Sequence, residues 1–237
     1  MLIDGGPSRG VLRELSKVMP FYDESIDVVI ATHPDSDHIS GLNDVLDKYR
    51  VDLFMEPGVV GDTNIYKELK NKVAQKNIKI IEARRGMAVD LGEGAILEIL
   101  FPVIDPEGME TNTASIVARL VYGENEFMLT GDSPKAIEEY LVSLPQDQIF
   151  ETGAQDLTLS SDVLKAGHHG SKTSTGAAFV AAVSPQYAVI SAGLDNRYGH
   201  PHQEVLDILD AFGAQILRTD LSGRIIFKSD GVNLKVK

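Results

Sequence analysis

Seven consecutive residues, Thr32-His33-Pro34-Asp35-Ser36-Asp37-His38, constrain this chain more than any other stretch. The run before them, I-D-V-V-I-A over residues 26–31, is apolar and reads as a strand. The run after them, I-S-G-L-N-D-V-L over residues 39–46, has helical spacing. The seven residues therefore occupy a strand-to-helix turn. Pro34 fixes its own backbone and keeps His33 extended. Alternation then sets His33 and Asp35 on one side of the turn. Asp37 and His38 fall at the helix start, where the helix dipole favours a carboxylate. Four potential ligands within six positions is a metal-site spacing.

A solvated acidic turn with two incidental histidines is the bland alternative, since Asp, Ser and Pro are ordinary turn residues. The other histidines decide against it. All six, His33, His38, His168, His169, His200 and His202, lie in three short loops. Histidines scattered through a core would not cluster in this way. There is no cysteine, so metal ligands must come from His, Asp, Glu or Asn.

The rest of the chain supplies a frame for these loops. With 237 residues and 43% apolar content it is long enough to bury a sizeable core. The first third alternates strands and helices. Strands are expected at 2–4, 26–31, 51–55 and 78–81, with helices over Val11, Leu12, Leu15 and Val18, then to about Tyr49, then from Asp62 or Thr63 to Lys76. That rhythm argues for a parallel sheet flanked by helices. The middle changes to strands without helices between them, at 87–91, 95–101, 115–122 and 126–130, with a hairpin turn at Gly123-Glu124-Asn125. Ser133-Pro134 opens a helix to about Leu144, and residues 146–161 read as a loop. Alternation then resumes, with strands at 162–166 and 187–191, and helices at 176–183 and 203–212. Closing strands are expected at 215–218, 224–228 and 232–236, with Gly223 turning a hairpin. Each candidate ligand loop follows a strand C-terminus, where open α/β sheets place their sites.

A fourth element joins the histidine loops. Residues 127–132, F-M-L-T-G-D, form an apolar strand ending in Gly131-Asp132. Alone this is an ordinary turn. Beside three ligand-bearing strand ends, Asp132 becomes a candidate bridging carboxylate.

These stretches together resemble a metallo-β-lactamase-fold hydrolase, and more narrowly the C-terminal soluble domain of the ComEC DNA-uptake proteins. The resemblance runs through Leu2-Ile3-Asp4-Gly5-Gly6, Thr32 to His38, Asn112-Thr113-Ala114-Ser115, Leu129 to Asp132, Gly167 to Ser171 and Tyr198-Gly199-His200-Pro201. It implies an α/β (α+β) fold, a four-layer αββα sandwich in one domain, 1–237, with metals at one edge of two facing sheets. Asp35 departs from the broad family pattern, which carries a second His there, and fits the narrower group. A His that many members place before the Gly-Asp strand has no counterpart; Asn112 stands in that region. The resembled domain also begins one β-hairpin earlier, so the chain is expected to be a fragment of a longer membrane protein or a trimmed stand-alone enzyme.

The resemblance further implies two divalent ions, zinc or manganese. One would take His33, Asp35, Asp132 and either His168 or His169; the other Asp37, His38, Asp132 and His200. His168 is favoured as the ligand and His169 as a proton donor or phosphate contact, so Asp37, Asp132 and His169 carry the chemistry. His202 is expected as a solvent-facing helix start and Asp4 as a carboxylate that orients a ligand His. Asn112, Ser115, Ser171, Lys172 and Arg197 are candidate substrate contacts.

The implied activity is binuclear metal-dependent hydrolysis of a phosphodiester, with DNA as the substrate. Net charge is −13, which repels nucleic acid over most of the surface and favours a small-molecule ester as the alternative. A domain that binds metal and DNA without cutting, guiding a strand toward a membrane channel, is a third reading. No apolar run reaches transmembrane length; residues 176–190 come closest but hold Ser184, Pro185 and Gln186. A soluble domain is expected, cytoplasmic if it stands alone and membrane-tethered if it belongs to a longer protein.

Overall fold

The computed structural model describes residues 1–144 and 158–237. The expected loop at 146–161 therefore lies mostly outside the described residues. The chain divides into two compact units, Met1–Arg84 with Ile104–Ile116, and Arg85–Val103 with Val117–Lys237.

The first unit is a parallel sheet of β1 (Leu2–Ile3), β2 (Ser25–Ile30), β3 (Arg50–Glu56) and β4 (Lys79–Glu82), hydrogen-bonded in that order. Its crossovers are α1 (Gly10–Val18), α2 (Ser36–Lys48) and α3 (Asn64–Gln75). The helical period of α2 buries Ile39, Leu42, Val45 and Leu46, which pack with Val29, Phe54, Leu69 and Val73. Thr63 caps α3 by accepting the Tyr66 N–H at 3.1 Å. Val18 departs from expectation and is 62% exposed, because α1 ends there and Met19 turns inward in its place.

One close approach in this unit positions candidate site residues. A side chain on Gly41 would place its Cβ 2.1 Å from the Gly5 carbonyl oxygen. Only glycine lets α2 lie this near the Gly5-Gly6 turn. The Gly5 N–H donates to the His38 carbonyl at 2.7 Å, and the Gly41 N–H to the Gly6 carbonyl at 3.0 Å. The turn is thereby stitched to the start of α2, and Asp4 is brought beside His38.

The second unit is a seven-stranded sheet in the order β11-β10-β9-β8-β7-β6-β5. Strands β5 (Ala88–Asp90), β6 (Ala95–Phe101), β7 (Val117–Tyr122) and β8 (Asn125–Leu129) form an antiparallel meander. Strands β9 (Val163–Lys165), β10 (Tyr187–Ile190) and β11 (Gln215–Arg218) continue in parallel with β8. Helices α4 (Lys135–Ser143), α5 (Ala177–Val183) and α6 (Gln203–Ala211) cover a core that includes Met128, Leu164, Phe179, Val183, Ile190, Val205 and Leu209.

The C-terminus differs from expectation. Gly223 turns no hairpin; it follows a short helix, α7 (Thr219–Ser222), at φ 70°. Thr219 holds this turn against the end of β10, its Oγ1 accepting the Ala192 N–H at 2.9 Å. The hairpin comes later, between β12 (Phe227–Ser229) and β13 (Leu234–Val236). Asp230 shapes it by accepting the Val232 and Asn233 N–H groups. Among the described residues, no helix is long and apolar enough to cross a membrane.

Candidate metal centre

The candidate ligand loops emerge from strand C-termini in both units. In the first unit, β2 runs into the loop that carries His33, and Asp35 is the N-cap residue of α2. Asp37 and His38 lie in the first helical turn. His33 and His38 are buried with ring centroids 4.1 Å apart, while Asp37 is exposed. The nearer Asp35 oxygen is 4.0 Å from His33 Nε2.

Asp4 sets the protonation of both rings. Its carboxylate accepts the Thr32 N–H at 2.8 Å, the Thr32 hydroxyl at 2.8 Å and the His38 Nδ1–H at 2.7 Å. The Thr32 hydroxyl proton is thus committed to Asp4. Its oxygen, 3.0 Å from His33 Nδ1, can only accept from that nitrogen. Both imidazoles therefore carry their proton on Nδ1 and keep a lone pair on Nε2, the arrangement of a carboxylate–histidine–metal relay. Burial works against the Asp4 charge. The adjacent His38, then His33 and the Thr32 N–H, outweigh it and hold the carboxyl below the ordinary carboxylate value. Asp4 does this from a left-handed backbone, at φ 57°.

Asp4→Asn tests this relay, since Asn tolerates the left-handed backbone but its amide no longer demands two donors. Affinity for zinc or manganese is expected to fall about 10–100-fold with the fold retained. Calorimetric titration reads this directly, and an unchanged affinity would remove Asp4 from the relay.

In the second unit, β8 ends in Thr130-Gly131-Asp132, and Asp132 is 2% exposed. The loop after β9 is a tight turn, Gly167–Gly170, in which His168 and His169 both have positive φ, 48° and 56°. Two consecutive non-glycine residues in this region are strained, each by about 1 kcal/mol or more. The strain aims both rings at Asp132, whose Oδ2 lies 3.7 Å from His168 Nε2 and 3.5 Å from His169 Nε2. A Cβ on Gly170 would meet Pro201 at 2.6 Å, so this turn is pressed against the His200 loop. The His168 and His200 rings stand 5.8 Å apart. Burial, and then the neighbouring His202, His168 and His169, push the His200 imidazole below its ordinary pKa. That favours the neutral, ligating form.

The backbone sorts two of these histidines in opposite senses. His169 Nδ1 lies 2.7 Å from the Ser191 carbonyl, to which it can only donate, leaving a lone pair on Nε2. His202 Nδ1 accepts the Lys172 N–H at 3.1 Å, so its proton sits on Nε2. His202 is the N-cap residue of α6, the helix start expected from sequence, and its half-buried ring makes no capping hydrogen bond but lies with its centroid 4.9 Å from that of His200.

The candidate substrate residues belong to both units. Asn112 and Ser115 share a turn in the first unit, where the Ile116 N–H donates to the Thr32 carbonyl at 2.9 Å. Ser171 is buried and bonded within its own loop, to His168 and Thr173. Lys172 and Arg197 are exposed beside the histidine cluster. Sequence reading assigned Thr32 no role of its own and set His202 outside the candidate ligands; a hydroxyl just before the first His, and a His two residues after another, were the signals it held.

Imidazole and carboxylate donors without thiolate form a set that fits divalent zinc, manganese or iron. A family model described as the metallo-beta-lactamase superfamily matches residues 1–193. The chain is 34% identical over 209 residues to ComE operon protein 3 of Bacillus subtilis, an alignment covering 86% of this chain and 25% of that protein. It is 33% identical over 204 residues to competence protein ComA of Neisseria gonorrhoeae, covering 85% and 25%. The chain thus spans about a quarter of the length of these relatives. Among solved structures, CmlA, a diiron beta-hydroxylase from Streptomyces venezuelae, matches with a TM-score of 0.51 and 13% identity, covering 84% of this chain and 44% of that one. That likeness is one of fold alone.

Proposed function

This chain belongs to the metallo-β-lactamase superfamily and has its mixed α/β fold, and from that membership we propose that it is a binuclear metal-dependent phosphodiesterase, a nuclease acting on DNA. The observation that carries the reading is the set of anchored imidazoles. His33, His38 and His169 each have Nδ1–H committed to a protein acceptor, which leaves Nε2 as a ligand atom. Rings that merely filled a core would need no such uniform orientation.

The ligand positions are His33, Asp35, Asp37, His38, Asp132, His168 or His169, and His200. The anchored Nδ1–H of His169 supports a ligand role for it, and gives the donor role to His202, whose Nε2–H can bond a phosphoryl oxygen. Asp132 offers two carboxylate oxygens from a buried position. Divalent ions held here would lower the pKa of a water and stabilise charge on the phosphoryl group.

DNA as substrate rests on the similarity to competence proteins, as does attachment to a membrane-embedded remainder. The net charge of −13 favours a second reading, hydrolysis of a small phosphodiester.

Two tests follow. Protein loaded with zinc or manganese is expected to hold two metal equivalents by elemental analysis; one at most, in excess metal, would end the binuclear reading. Hydrolysis of single-stranded DNA, duplex DNA and an aryl phosphodiester is then compared at low and high salt. DNA cleavage is expected and should weaken steeply with salt, because DNA contacts release counterions. Activity confined to the aryl ester would promote the second reading. Bound metal with no activity on any of the three would favour a guide domain that binds without cutting.

A further inference from the structure

The loop after β10 carries an aromatic group that the metal reading leaves unused. Tyr198 is 59% exposed and lies nearly parallel to the His200 ring, with centroids 5.7 Å apart and planes 23° apart. The Arg197 guanidinium carbon stands 4.9 Å from the Tyr198 centroid, and Arg197 Nη2 donates to the Tyr198 hydroxyl at 2.7 Å. The loop is held in shape from within. Asn196 donates to the Gly193 and His200 carbonyls at 3.0 and 2.7 Å and accepts the His200 N–H at 2.9 Å. Leu194 in the same loop is 72% exposed.

A tyrosine that only buttressed His200 would gain most by burying its ring. This one is presented to solvent on a braced loop, with a guanidinium beside it. Charge alone does not explain the arrangement, because Asp195 offsets Arg197 within the same loop. A planar ligand does. Aromatic rings and arginine planes are the groups on which proteins stack unpaired bases, at about 1–3 kcal/mol per base.

We propose that Tyr198, with Arg197, is a stacking platform for an unpaired nucleobase next to the phosphate at the metal centre. This rests on the phosphodiesterase reading and deepens it. The substrate is then a single strand or a frayed end, because a duplex keeps its bases stacked on each other.

The chain has no tryptophan, so Tyr198→Trp installs a single indole reporter at the platform. Its fluorescence is expected to be quenched by a short single-stranded oligothymidylate. An abasic oligomer with the same number of phosphates should leave it unchanged. In the unsubstituted protein, with chelator present to prevent cleavage, oligothymidylate should bind roughly 5- to 150-fold more tightly than the abasic oligomer. Tyr198→Ala should erase that ratio and Tyr198→Phe should keep it. A mere support for His200 would not change the ratio between two ligands that differ only in their bases. Equal affinity for both oligomers, or a preference that survives Tyr198→Ala, overturns the platform. Cleavage of DNA by a protein indifferent to bases would sink the platform and leave the nuclease reading standing. Base-dependent binding by metal-loaded protein that hydrolyses no phosphodiester would do the reverse.

Discussion

Asp132→Asn is expected to lower phosphodiester hydrolysis by about 10²–10³-fold or more, while the far-ultraviolet circular dichroism stays that of the parent. Asp132 is buried at the end of β8, with Oδ2 within 3.7 Å of both His168 and His169 Nε2 atoms. An amide in this place does two kinds of damage. It withdraws the negative charge that two cations would share. Its N–H group also faces the imidazole nitrogens as a competing donor, so ligand lone pairs are occupied by hydrogen instead of metal. Arg197→Ala, which touches only the surface of the site, should lose far less. Kinetics on an aryl phosphodiester, with metal content measured alongside, separate the two variants. Activity of Asp132→Asn within tenfold of the parent would exclude Asp132 from the metal centre.

The largest stability effect is expected at Glu138 on α4. This side chain is 1% exposed, and its two oxygens accept the Thr175 and Gly176 N–H groups, each at 2.7 Å. It thereby holds the segment between the histidine turn and α5. The same segment is tied by Ser174 to the Ser133 carbonyl and by the Lys135 N–H to the Thr173 carbonyl. Thr175 in turn accepts the Gly167 N–H at 3.1 Å, at the first residue of the turn. Glu138→Ala removes the acceptors and leaves these donors without partners, at a cost of about 2–4 kcal/mol in denaturant unfolding.

The same residue makes stability pH-dependent. Burial pushes the Glu138 carboxyl from 4.5 up to about 7, against the pull of the two backbone donors and Lys135. A raised carboxyl pKa means that the folded state binds the extra proton between these values. Its contribution is therefore fully present below pH 4.5 and is lost as pH rises through about 7. The loss amounts to roughly 3 kcal/mol at most. Glu138→Gln should flatten this part of the profile, and an unaltered profile would exclude Glu138 as its source.

Much of this protein was legible from local pattern. Helical spacing of Ile39, Leu42 and Leu46 announced α2, and the apolar run over residues 26–31 announced β2. The change from alternating elements to a meander after β4 was equally readable, because strand and helix periods are properties of neighbouring residues. The candidate donors were visible too, as residue types. Histidines confined to three loops, in a chain without cysteine, leave few other uses for them.

What those donors do was decided by contacts between distant residues. Asp4 reaches across 34 positions to His38, and His169 across 22 to the Ser191 carbonyl. Lys172 meets His202 across 30, and Glu138 meets Thr175 across 37. Each of these bonds fixes a tautomer or holds a loop, and none has a periodicity that a window of sequence could reveal. The sequence therefore determined which side chains are candidates for a metal. Tertiary structure alone decided which ring nitrogen keeps its lone pair, because a tautomer follows the hydrogen-bond partner and the partner is chosen by how the chain crosses itself.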